Sequence, residues 1–285
     1  MPKGKEMENS IFPARTEFIS SRANPKIKSA SALLSARERK KTGLFLLEGA
    51  RLCCDAAENG IEIKEFFATE GAAEKYRDAF LKISGCAKKV YAVSRDIAEK
   101  LSDTENTQEM FCVCSDRAVQ PDESGIDPNG FYVMTENLQN PDNLGAVVRS
   151  AEALGADGLI VCSGCDIRSP KALRASMGGL LRFPVIRVSD SAAILYALRK
   201  KGMKIFATVA SGEAESIVTA DKSGGAVCII GNEGAGVSDE ALALSTNRIT
   251  IPMLGKAESL NASAAAAIAI WEFMKERGSG GNEPC

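Results

Sequence analysis

Hydrophobic positions fall into two stretches, each switching between the two-residue period of strands and the longer period of helices. In the first, residues 25–39 set Ile27, Ala30, Leu33 and Leu34 on the inner side of one basic helix. Residues 44–47 read as a buried strand, and 50–59 as a helix that stops at Gly60. Strands follow at 61–69, 89–93 and 111–114, with a helix over 71–82. This predicts a small α/β domain.

The second stretch alternates more regularly. Strands are predicted at 131–135, 158–162, 184–188, 204–209, 226–230 and 248–251, and helices at 144–154, 171–177, 190–201, 238–244 and 262–276. Strands interleaved with helices imply a parallel sheet covered on both faces. Ligands bind such sheets beyond the carboxyl ends of the strands. Between the stretches, residues 116–129 (DRAVQPDESGIDPN) carry two prolines, a glycine and no apolar period, the pattern of a linker. The expected division is therefore a domain over 15–115, a linker over 116–129, a second domain over 130–277 and a disordered tail over 278–285.

Composition narrows the chemistry. Of 285 residues 25% are charged and 45% hydrophobic, the balance of a soluble globular protein. No stretch reaches the roughly 18 uncharged apolar residues of a membrane span. The opening MPKGKEMENS lacks the apolar core of a secretory signal, so a cytoplasmic location is expected. There is no histidine, so acid–base work falls to carboxylate, arginine, lysine, serine, asparagine or thiol. Nine cysteines are present, but Cys162 and Cys165 have no second pair to complete a zinc site, and no metal is expected. Cys112 and Cys114 alternate within an apolar run and are expected to be buried on one face.

The net charge of −2 gives no general attraction to nucleic acid, but its distribution is uneven. Residues 1–43 hold ten Lys/Arg against four Glu. Arg22, Lys26, Lys28, Arg37, Arg39, Lys40 and Lys41 are the candidate phosphate contacts, with a solvated helix face as the other reading.

Three segments of the second stretch carry candidate chemistry. In Asn137-Leu-Gln-Asn-Pro-Asp-Asn-Leu-Gly-Ala-Val-Val-Arg149 a strand ends, a polar turn follows, and Asn143 stands where a helix cap is expected, six residues before Arg149. In Val227-Cys-Ile-Ile-Gly-Asn-Glu-Gly-Ala-Gly236 an apolar strand runs into three glycines around Asn232 and Glu233. The spacing GxxGxG is neither a phosphate loop nor the dinucleotide fingerprint, and Glu233 would repel a pyrophosphate. An uncharged or cationic ligand fits better. In the third, Ile249 to Trp271, a strand leads through Pro252 and Gly255 to Ser259-Leu-Asn261 and an alanine-rich helix, which Ser259 or Asn261 would cap.

Together these segments resemble the SpoU/TrmH family of RNA 2′-O-ribose methyltransferases, of the wider SPOUT class, over about 130–275. The stretch N-P-x-N-L-G-x-x-x-R is Asn140 to Arg149, G-N-E-G-x-G is Gly231 to Gly236, and I-P-M…S-L-N is Ile251 to Asn261. Many members carry aspartate where Asn140 stands, and no role is assigned there. Phe45-Leu-Leu-Glu-Gly-Ala-Arg51 resembles a stretch of the ribosomal-protein-like (L30e-like) RNA-binding domain these enzymes often carry. Thr104-Glu-Asn-Thr-Gln108 matches its threonine-glutamate-threonine-proline-glutamine turn only loosely.

The resemblance implies a C-terminal SPOUT domain whose parallel sheet contains a trefoil knot, preceded by a small N-terminal α/β RNA substrate-binding domain. It implies S-adenosylmethionine held near Gly231, Ile251 and Leu260, a homodimer completing each site, and no metal. Asn143, Arg149, Glu233, Ser259 and Asn261 are the implied catalytic set, with Glu233 holding both loop and arginine. Ribosomal RNA is favoured over transfer RNA as substrate. Methylation of transfer RNA or of a base nitrogen, and a non-enzymatic RNA-binding or ribosome-assembly role, stay open as other readings; a dinucleotide oxidoreductase is opposed by the glycine spacing.

Overall fold

The computed structural model describes residues 11–14, 16–116, 125–210, 213–275 and 277. The expected tail at 278–285, the opening MPKGKEMENS and residues 117–124 of the expected linker lie outside the described residues. Two compact units divide the chain, Met1–Ala118 with Arg168–Pro170 and Val119–Ile167 with Lys171–Cys285.

The first unit is a five-stranded sheet ordered β1-β4-β3-β5-β2, with β1 Glu17–Ile19, β2 Leu44–Glu48, β3 Ile63–Ala68, β4 Val90–Val93 and β5 Met110–Ser115. β5 runs antiparallel to both neighbours, while β1, β4 and β3 are parallel. One face holds Leu46, Phe67, Tyr91, Phe111 and Val113 against Ile27 of α1 (Pro25–Ala32) and Ile97 of a later helix. The hydrophobic pattern predicts neither that helix, at Arg95–Leu101, nor strand β1. The alternation of β5 sends Cys112 and Cys114 to the other face, where both are fully buried, as expected.

The predicted basic helix over 25–39 is two helices, α1 and α2 (Ala36–Thr42). The break is held by Arg39, whose guanidinium donates to the carbonyls of Leu33 at 2.7 Å and Leu34 at 2.9 Å. These groups end a helix without an intrahelical partner, and the arginine supplies one. The predicted helix over 71–82 also divides, into α4 (Glu70–Lys75) and α5 (Arg77–Cys86), because Tyr76 leaves helical geometry. Helix α3 (Ala50–Glu58), which precedes α4, packs on α5.

The second unit is a seven-stranded sheet, parallel throughout. Its strands are β6 (Phe131–Glu136), β7 (Gly158–Cys162), β8 (Val185–Val188), β9 (Lys204–Thr208), β10 (Glu215–Ser216), β11 (Ala226–Ile230) and β12 (Asn247–Thr250). They are ordered β10-β12-β9-β11-β6-β7-β8. Every central strand is apolar on both faces, which requires helices on both sides. Numbering the helix at Arg95–Leu101 as α6, the following helices are α7 (Pro141–Ala153), α8 (Pro170–Ala175), α9 (Gly179–Arg182), α10 (Ser191–Lys200), α11 (Asp239–Leu244) and α12 (Ala262–Met274). Helices α10 and α11 cover Tyr132, Met134, Ile160, Ile205 and Ile229. On the opposite face α12 lies against α7, and its Phe273 stacks on Phe131 with ring centroids 4.7 Å apart.

Helix α7 sits where it does because Gly145 has no side chain. A Cβ there would stand 2.5 Å from the Cβ of Ala175, 2.7 Å from the carbonyl oxygen of Ala172 and 2.8 Å from the amide of Ser176. Two of those three are backbone of the neighbouring segment and cannot swing aside. Gly145→Ala is therefore expected to lower stability by about 1–3 kcal/mol, read in chemical denaturation. Arg39→Ala leaves two helix-end carbonyls unmet and should cost about 1–3 kcal/mol by the same measurement.

Candidate active site

Three loops leave the carboxyl edge of the second sheet and are laced together by side chains. The first begins at Asn137, in the left-handed region with φ 54°, which asparagine tolerates. Asn140 then caps α7, its Oδ1 accepting from the Asp142 amide at 2.9 Å, and Pro141 takes the first helical position. Proline suits that position because its missing N–H would have had no helical partner. The cap is thus Asn140 and not Asn143, and α7 starts three residues before the predicted helix. Asn143 lies inside the first turn, with its side chain buried.

The second loop follows β11. Asn232 and Gly236 exchange backbone hydrogen bonds of 2.9 Å in both directions, closing a tight ring. A Cβ on Gly231 would overlap the Gly236 backbone, and Gly236 has φ 73°, so both positions demand glycine. The Asn232 side chain accepts from the amides of Gly234 and Ala235 at 2.9 Å and donates to the Asn137 carbonyl at 2.9 Å. The third loop runs from β12 to Asn261, the cap of α12. Asn261 Oδ1 accepts from the Ser263 amide at 2.9 Å, while its Nδ2 donates to Asn143 Oδ1 at 3.0 Å.

Glu233 ties these loops together. One carboxylate oxygen accepts from the Gln139 amide at 3.1 Å; the other accepts from the Asn140 amide and from Asn143 Nδ2, each at 3.0 Å. Partial burial works to raise its pKa, but the donors from Gln139, Asn143 and Asn140 together hold it below the ordinary glutamate value. A continuous chain of hydrogen bonds thus runs Glu233–Asn143–Asn261, one residue from each segment.

Two members of the implied set stand apart. Arg149 is exposed and makes no hydrogen bond or ion pair among the described residues. Within the chain Glu233 does not hold the arginine: its oxygens accept from Gln139, Asn140 and Asn143. Ser259 is likewise exposed and without a hydrogen bond, and the capping is done by Asn261. Of the implied cofactor contacts, Gly231 lies buried in the closed ring, Ile251 is half-buried and Leu260 is exposed. Near Leu260 in the same loop, Met253 and Leu254 are also exposed, and Leu254 is fully so. An exposed apolar loop suits a ligand with an apolar surface. Thiol chemistry is set aside, because burial pushes the Cys162 thiol up, Cys165 to about 11 and Cys228 to about 12.

In the first unit Lys28, Arg37 and Lys40 are exposed. Arg22 pairs with Asp96 at 2.8 Å, Lys26 with Glu65 at 3.8 Å and Lys41 with Glu38 at 3.5 Å, surface pairs of small worth. Arg39 is corrected as a phosphate contact: it is buried and its guanidinium serves the helix end described above. The loosely matching turn at 104–108 is structural here. Glu48 accepts from Ser102 and Thr104 hydroxyls at 2.6 Å, and Gln108 accepts from the Ala50 amide at 2.8 Å, supplying the cap that Gly49 lacks.

A parallel sheet with a closed glycine loop at its carboxyl edge defines a ligand-binding α/β protein. Comparison with known proteins makes this specific: the chain belongs to the SpoU rRNA Methylase family, which it matches over residues 130–271. Residues 24–112 match the MRM3-like substrate binding domain. The chain is 30% identical over 256 residues to the 23S rRNA (guanosine(2553)-2′-O)-methyltransferase RlmP of Bacillus subtilis, covering 90% of this chain and 98% of that protein. It is similar to the crystal structure of the SpoU methyltransferase AviRb from Streptomyces viridochromogenes in complex with AdoMet, with TM-score 0.79 and 28% identity over 90% of this chain and 100% of that one. An AdoMet-bound rRNA methyltransferase from Sinorhizobium meliloti gives TM-score 0.81 and 26% identity over 92% of this chain and 98% of that one.

Glu233→Gln turns an amide N–H toward backbone donors and is expected to cost about 1 kcal/mol in thermal melting. Because the folded pKa is lowered, the wild-type clamp contributes stability that is present above the unfolded glutamate value, near 4.3, and is lost as pH falls through the lowered one. A melting series through the acid range should show that loss in the wild type and not in the variant.

Proposed function

We propose that this protein transfers a methyl group from S-adenosylmethionine to a ribose 2′-hydroxyl of structured RNA, with ribosomal RNA favoured over transfer RNA. The observation that carries the reading is the joining of Asn143, Glu233 and Asn261 into one network at the carboxyl edge of the sheet. RlmP and AviRb, which the chain matches along nearly their whole lengths, support it. On this reading residues 15–115 bind the RNA substrate, 116–129 link, and 130–277 carry out the transfer. The chain beyond β12 passes through a trefoil knot, a reading supported by β12 lying between β10 and β9 before the segment returns to the other two loops. Among the described residues no helix is long and apolar enough to cross a membrane, in keeping with a cytoplasmic enzyme.

The residues present fit the cofactor. Gly231 packs on the Gly236 backbone and closes a ring whose Gly234 and Gly236 are exposed, Ile251 and Leu260 bring apolar surface from the third loop, and the Glu233 carboxylate suits a cationic group. The cofactor, when bound, supplies a methyl carbon open to attack by an oxygen. The protein's work is to place that oxygen and accommodate its proton. Asn143, fixed by Glu233 and Asn261, orients the first loop against the incoming ribose. Arginine does not give up its proton in a protein, so Arg149 acts through its donor fork, clamping an RNA phosphate and the developing alkoxide. The phosphate receives the hydroxyl proton. Arg149 reaches a site as part of a homodimer, a reading supported by its exposure and by the exposed Ile268 and Trp271 of α12.

Labelled methyl transfer to RNA should give a product whose modified linkage resists alkali; an alkali-labile linkage would indicate a methylated base instead. Arg149→Ala should bind S-adenosylmethionine in calorimetry yet lose roughly 100-fold or more in transfer. Arg149→Lys should also be poor, since a point charge does not reproduce the fork. Unchanged turnover in the alanine variant removes Arg149 from the mechanism.

A further inference from the structure

The strand order sets β6 between β11 and β7, so the loop that follows β6 is flanked on both sides at the carboxyl edge. On the β11 side it meets Glu233, which accepts the amides of Gln139 and Asn140, and Asn232, which donates to the Asn137 carbonyl. On the β7 side it meets residues 163–165, a stretch that none of the three candidate segments includes.

That stretch folds back on the first loop. Ser163 and Gly164 hold positive φ in succession, at 57° and 93°. The Asn137 amide then donates to the Cys162 carbonyl and the Cys165 amide to the Leu138 carbonyl, each at 2.8 Å. Between these two bonds Gly164 lies directly against the Leu138 backbone. A Cβ on it would overlap the Leu138 carbonyl oxygen and stand 2.8 Å from the Leu138 amide nitrogen and 3.1 Å from the Asn137 carbonyl carbon. Carbon and oxygen keep about 3.3 Å apart even in close C–H···O contacts. All three atoms are backbone, so none can swing aside, and the positive φ independently favours glycine.

The first loop has no room to yield on its other side. There the Gln139 and Asn140 amides already stand 3.1 and 3.0 Å from the Glu233 carboxylate, and Leu138 is 1% exposed. A side chain at position 164 therefore has to turn the loop out of register with Glu233. The Asn143 side chain shares its Glu233 oxygen with the Asn140 amide, so it loses its bearing in the same movement. Gly202 offers the contrast. Its φ is 82°, yet a Cβ there would meet nothing within 4 Å, so that position answers to backbone freedom alone.

Resting on the methyltransferase reading, we propose that Gly164 is a positioning residue for the transfer: it seats the first loop against Glu233 and so sets where Asn143 meets the ribose. The turn after β7 is thereby a fourth part of the active site, acting through the first loop.

The test compares the full-length wild type with Gly164→Ala, Gly202→Ala, Glu233→Gln and the double variant of Gly164→Ala with Glu233→Gln. Gly164→Ala should lower kcat for methyl transfer about tenfold or more, as misplacement of a reacting group does. Its S-adenosylmethionine affinity in calorimetry should stay within twofold of the wild type. Gly202→Ala bears a similar backbone cost without the contact and should keep the wild-type kcat. Measured against the residual rate of Glu233→Gln, adding Gly164→Ala should cost less than threefold, because the route it acts through is already cut. A folded Gly164→Ala with unchanged kcat overturns the assignment. So does an equal loss in Gly202→Ala, a full tenfold loss on top of Glu233→Gln, or a loss of S-adenosylmethionine affinity in Gly164→Ala. If Gly164→Ala does not fold, amide hydrogen exchange on the wild type decides. The Cys165 amide should then be protected at least as strongly as those of Gln139 and Asn140, and a freely exchanging Cys165 overturns the seat. A wild type that transfers no methyl group to RNA is a separate result, which sinks the methyltransferase reading and leaves the exchange measurement standing.

Discussion

Three loops far apart in sequence act as one surface because a single carboxylate accepts from two backbone amides and one side-chain amide. Glu233 sits on the loop after β11, and all its donors come from the segment after β6. Without the carboxylate, the amides of Gln139 and Asn140 would lose their acceptor, and the bond from Asn232 to the Asn137 carbonyl would be left to join the turn before α7 to the glycine ring. Asn143 then carries the connection onward to Asn261. The arrangement depends on the carboxyl being ionised, and the same donors that position it keep it so.

The sheet makes this possible by bringing β11 and β6 side by side. Their pairing runs from Ala226 opposite Phe131 to Ile230 opposite Thr135, so the two loops leave the edge at adjacent points. The rest of the unit fixes their angles. Gly145 lets α7 settle against the segment carrying Ala172 and Ser176, and α12 is anchored through Phe273 on Phe131 and Phe206. Packing far from the chemistry thus sets the direction in which Asn143 points.

Much of this was legible in the amino acids. The strands of the second unit were visible as apolar runs, and 158–162 and 226–230 have the predicted limits because glycine and polar residues bound them sharply. Boundaries failed where a side chain far along the chain decides them. Arg39 divides a continuous amphipathic pattern by binding carbonyls five and six residues back, which periodicity does not register. The cap of α7 was misplaced by three residues although Asn-Pro is a helix-start signal, because Asn143 also has capping chemistry. The short strands β1 and β10 exist only through their neighbours and carry no pattern of their own. Asn143, Glu233 and Asn261 could be picked out by motif, but that Glu233 serves amides and not Arg149 needed coordinates.

Asn261 is at once the cap of α12 and the end of the hydrogen-bond chain from Glu233. Synthesis proceeds from the amino end, so β6, α7 and the glycine ring all emerge before this residue does. The network can close only after the first turn of α12 has wound, since that turn orients the asparagine amide. A nascent chain that has already assembled its central strands can join the first two loops through Glu233 but does not yet hold the third. The third loop is the last of the three to be made and the last that can be tied in.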